Sequence, residues 1–82
     1  MRTKVIIEGL KNTQKFRVVI NGIIVGDCQV KDLMGNRFLQ TQQRAAVWEA
    51  LDDISRSRRI GFGLITGSGR TIRGYDVQVD LI

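Results

Sequence analysis

Five arginines, Arg56, Arg58, Arg59, Arg70 and Arg73, fall between Ile54 and Tyr75, a window that holds no aspartate or glutamate. A guanidinium is a planar fork of donors that matches a phosphate or carboxylate in two-point contact. The rest of the chain carries eight basic and eight acidic residues, so the whole net charge of +5 sits in that window. Concentrated positive charge draws polyanions: nucleic acid, an acidic protein surface or a phosphorylated ligand. A solvated basic face that serves only solubility is the plainer account. Phe62 and Tyr75 lie close enough in sequence to offer rings for stacking, provided both are exposed.

The glycines interleaved with these arginines, in "GFGLITGSGR", invite comparison with phosphate-cradling loops. The spacing fits neither G-x-x-x-x-G-K-[ST] nor a G-x-G-x-x-G that opens a helix, and hairpin glycines explain it better. No helix-turn-helix, zinc finger or RNP pattern is present, so what the sequence supports is backbone contact without base readout.

Catalysis has little to work with. There is no histidine, and the eight acids, Glu8, Asp27, Asp32, Glu49, Asp52, Asp53, Asp76 and Asp80, form no recognisable pair with a nucleophile. Asp52 and Asp53 are neighbours on a helix and point to solvent in different directions; Asp76 and Asp80 alternate opposite the apolar face of a strand. Ser55, Ser57 and Ser68 have no base near them in sequence. The single cysteine, Cys28, cannot close an internal disulfide or build a metal cluster, and reads as a small core residue. The expectation is a binding protein, with no enzyme activity, cofactor or metal.

These side chains need a scaffold, and 82 residues make one domain with a modest core. "TKVIIE", Thr3 to Glu8, reads as a strand. Phe16, Val18 and Ile20 alternate up to Asn21-Gly22, a strong hairpin signal because a type I′ turn needs positive φ at both central residues. A bend or bulge is expected near Gly26 and a loop through "DLMGNR". From Thr41 to about Arg58, Val47, Trp48, Leu51 and Ile54 draw an apolar stripe, with Thr41 as N-cap, Trp48 facing the sheet and Gly61 closing the helix. Asp52 and Arg56 can pair four residues apart, and Arg56, Arg58 and Arg59 suit the negative end of the helix dipole. A second hairpin is expected with "GSGR" as its loop, Arg70 at the tip and a bulge at Gly74. The order three strands, one helix, two strands implies an α+β domain: an antiparallel sheet with the helix on one face.

No apolar run is long enough to cross a membrane and the basic start lacks a signal-peptide core, which points to a cytoplasmic protein. The final run "YDVQVDLI" reads as an edge strand through which the chain could form a two-fold homo-oligomer. The expected function is contact with nucleic-acid phosphates through Arg56, Arg58, Arg59, Arg70 and Arg73. The alternative is a protein-binding regulator or inhibitor, for instance of a nucleic-acid enzyme, docking through the same arginines and an exposed strand edge.

Overall fold

The computed structural model describes residues 7, 9–61, 63 and 65–82. Its elements run β1 (Lys15–Ile20), β2 (Ile23–Gln29), a 3₁₀ helix (Val30–Gly35), α1 (Thr41–Arg59), β3 (Gly67–Ile72) and β4 (Tyr75–Leu81). The four strands form one antiparallel sheet in the order β2-β1-β4-β3, so two hairpins lie side by side and α1 packs on one face. The α+β class is as expected. The described residues give two strands, a helix and two strands; the strand expected over Thr3–Glu8 lies outside them apart from Ile7, which is buried in the core.

Alternation builds the core. Phe16, Val18 and Ile20 of β1 and Val77 and Val79 of β4 point to the helix, and each is at most 5% exposed. Against them α1 lays Ala46, Val47, Ala50, Leu51 and Ile54. The small alanines let the helix axis approach the sheet, and Trp48, expected to face the sheet, packs partly buried against the core. Trp48 is half-buried beside Met34 and Ala45, at the rim of a shallow cleft. The segment expected to be a loop instead winds into the 3₁₀ helix, which buries Val30 and Leu33 against the sheet. The helix cap is Gln40 and not Thr41: the Gln40 N–H donates to Gln43 Oε1 at 2.9 Å. Gly61, at φ +93°, follows the helix as the glycine signal implied.

The first hairpin turns at Asn21-Gly22, and the bulge falls beside Gly26, where the β1–β2 register shifts between Val18 and Val19. The second hairpin differs from expectation. "GSGR" lies within β3, and the turn is Arg73-Gly74, with φ of +53° and +84°. Gly74 is therefore a turn residue and not a bulge, and Arg70 is not at a tip. β4 has β1 on one side and β3 on the other, so the C-terminal strand is not an edge and cannot pair with a second copy as expected. No helix among the described residues is long and apolar enough to cross a membrane.

Candidate nucleic-acid interface

The fold brings the arginines of the basic window up against acids that precede them in sequence. Antiparallel pairing sets β3 alongside α1, and the helix presents Glu49, Asp52 and Asp53 at that border. Arg70 Nε donates to Asp53 Oδ2 at 2.6 Å and its Nη2 to Oδ1 at 3.3 Å, a two-point contact with a carboxylate only 25% exposed. Arg73 Nε donates to Glu49 Oε2 at 2.8 Å and Nη1 to Gln42 Oε1 at 3.0 Å. Arg56 pairs with Asp52 at 2.9 Å, the four-residue pair read from the sequence. Arg58 is spent on backbone, its Nε donating to the Ile65 carbonyl at 2.8 Å and tying the chain after α1 back to the helix end. Arg59 is exposed and also has a bonding partner. Three of the five arginines, Arg56, Arg70 and Arg73, are thus matched with acids of α1 as a strip of alternating charge, while Arg58 serves the end of the helix. The hydrogen bond to Asp53, reinforced by its charge, raises the Arg70 guanidinium further above its ordinary value.

The expected stacking rings are not both at hand. Tyr75 is half-buried against the core in phase with Val77, and Phe62 lies outside the described residues.

The unpaired cations are elsewhere. Among the described residues Lys11, Lys15, Lys31 and Arg37 are exposed, and none has a side-chain hydrogen bond or ion pair. They are far apart in sequence and are drawn together by backbone bonds between the turn before β1 and the 3₁₀ helix: Val30 N–H donates to the Gln14 carbonyl at 3.1 Å and Lys31 N–H to that of Asn12 at 2.9 Å. A cleft of about 590 Å³ opens at this end of β2, lined by Lys15 and Arg37 with Cys28, Asp32, Asn36 and Phe38. Asp27, also on the wall, is already held by Arg17 at 3.0 Å, which leaves Asp32 as the acid without a partner there. Phe38 is 79% exposed at the rim.

Local chemistry fixes that rim. Phe38 N–H donates to Asn36 Oδ1 at 2.7 Å, and Arg44 Nη1 donates to the carbonyls of Asn36 and Leu39 at 2.9 and 3.3 Å. Leu39 is buried while Phe38 is turned outward. Cys28, expected in the core, is half-buried and opens on the cleft; burial pushes its thiol up, and its S–H donates to the Gln29 carbonyl at 3.2 Å. Sequence reasoning passed over Lys15, Arg37 and Phe38 because their surroundings balance in charge; the dipeptide Arg37-Phe38 in a polar stretch was the available signal. No group of acids and cysteine among the described residues is placed to hold a metal ion. The chain matches no protein-family model, and neither a curated protein nor a solved structure is found to be similar to it.

Proposed function

We propose that the protein binds nucleic-acid phosphates without catalysis, with Lys11, Lys15, Lys31 and Arg37 making the leading contacts. The carrying observation is that these four cations are exposed and unpaired on one end of the molecule, where the cleft wall holds one unpaired acid, Asp32. A cation without an internal partner gives up only water and counterions to reach a phosphate, whereas a paired arginine must first leave its carboxylate. Arg56, Arg58, Arg59, Arg70 and Arg73 form the secondary surface. The exposed Arg73–Glu49 pair is of a kind worth about 0.2–1 kcal/mol, so a strong polyanion can still recruit it.

Fluorescence anisotropy of a labelled mixed-sequence oligonucleotide at low salt tests the reading. Binding is expected, and Lys15→Gln with Arg37→Gln should weaken it more than Arg70→Gln with Arg73→Gln. Absence of binding at low salt would remove this function.

A second reading, recognition of a protein, draws on the β1–β2 hairpin tip, where Ile23 and Ile24 stand 70% and 65% exposed. Two isoleucines held in water at a hairpin tip on the edge strand β2 suit a partner with an apolar patch.

A further inference from the structure

We infer that the cleft beside Phe38 accepts an unpaired nucleobase, so that the preferred ligand is a single strand; this deepens the phosphate-binding reading and rests on it. The phenyl ring is the most exposed large apolar side chain of the described residues. Exposure alone would say little, but here the backbone that carries the ring is fixed on both sides. Asn36 Oδ1 takes the Phe38 N–H, the Arg44 guanidinium clamps the carbonyls of Asn36 and Leu39, and the Leu39 side chain anchors in the core. A ring held out rigidly presents a face at little further entropic cost. Bases stack on such faces in single-strand binding proteins, and every base has a face to offer.

The surroundings supply cations and room, against one unpaired acid on the same wall, Asp32. Arg37 adjoins the ring in sequence and Lys15 lies on the same cleft wall, so the phosphates on either side of a stacked base have cations to meet. The cleft, about 590 Å³, has room for a base and its sugar. Duplex DNA keeps its bases stacked inside and can offer this surface only its backbone.

The test compares one mixed-sequence oligonucleotide as a single strand and annealed to its full complement as a blunt duplex, at low salt, by anisotropy. The wild-type protein should bind the single strand several-fold more tightly. Phe38→Ala should lose about five- to a hundred-fold on the single strand, the range for removing one stacking ring, with little change on the duplex. Phe38→Trp should hold or improve single-strand binding. Because the only cysteine lines the cleft, the single strand should also protect Cys28 from maleimide more than the duplex does. The melting temperature of Phe38→Ala should match wild type, since the ring buries little. If Phe38→Ala binds both forms as wild type does while Lys15→Gln with Arg37→Gln weakens both, the base-binding inference is overturned and phosphate binding stands. If the wild type binds neither form, both are overturned.

Discussion

At the scale of single residues, Arg70 and Cys28 each carry a consequence that their place in the sequence conceals. On a hairpin tip Arg70 would be thermally silent when replaced; on β3 it makes a two-point contact with Asp53. Arg70→Gln should therefore lower the melting temperature, by about 2 to 5 °C for a domain of this size. Asp53→Asn should do the same, and the double variant little more, because the two changes remove one interaction. Raising a guanidinium that is already high leaves its side of this contribution whole through neutral pH and into alkali. Cys28 responds at lower pH. Burial raises its thiol, so above the ordinary thiol value of about 8.5 the unfolded chain releases a proton that the folded chain keeps. Stability should fall as pH rises through that region, and Cys28→Ala should flatten the decline. Urea unfolding of both proteins from pH 7 to 10 measures the difference; identical slopes would place Cys28 in open solvent.

Among the elements, the two hairpins show what the sequence could and could not disclose. Their turns are near-copies: Asn21-Gly22 at φ +51° and +80°, Arg73-Gly74 at +53° and +84°. Asn-Gly announces its turn because asparagine tolerates the left-handed region, whereas arginine there gives no such notice. Arg73 is held instead by what it reaches, Glu49 and Gln42 on α1. "GSGR" imitated a loop for another reason. Gly67 lies across from Asp80 of β4, and a β-carbon there would meet Asp80 Oδ1 at 2.6 Å; Gly69, across from Gln78, would make only ordinary contact. Gly67 makes room for its neighbour and neither glycine turns the chain, a distinction that needs the register. The helix, by contrast, was legible almost to the residue, because a stripe ending in Gly61 depends only on local spacing. Gly74→Ala should cost about 1–2 kcal/mol, all of it backbone strain, since nothing lies within 4 Å of the new methyl. Gly35→Ala, also in open space but at an ordinary φ, should stay within about 0.5 kcal/mol. Equal costs at the two sites, measured by thermal or urea unfolding, would refute the turn assignment.

For the molecule as a whole, what matters is how charge is distributed in space, and here counting along the chain misleads. A window from Ile54 to Tyr75 isolates five arginines and excludes Glu49, Asp52 and Asp53, which lie just upstream, within the preceding five residues, and meet three of them. The same count calls the remainder neutral, although folding leaves Lys11, Lys15, Lys31 and Arg37 unpaired at one end. Net charge predicts attraction to polyanions in either case; only the fold decides which surface receives them. The salt dependence of binding can count the contacts. Each phosphate neutralised on duplex DNA contributes about −0.9 to the slope of log affinity against log salt. If the four unpaired cations act alone the slope should be about −3.6, and if all five arginines of the window join them it should be about −8. We expect the smaller value. Lys15→Gln with Arg37→Gln should flatten it by about 1.8, while Arg70→Gln with Arg73→Gln should leave it unchanged, because arginines that stay on their carboxylates neutralise no phosphate and release none of the cations condensed on the duplex. Anisotropy titrations of wild type and both double variants, from low to physiological salt, supply the three slopes. A slope that flattens only in the Arg70 and Arg73 variant would return the interface to the strip along α1, and would mean that nucleic acid displaces Glu49 and Asp53 from their arginines on binding.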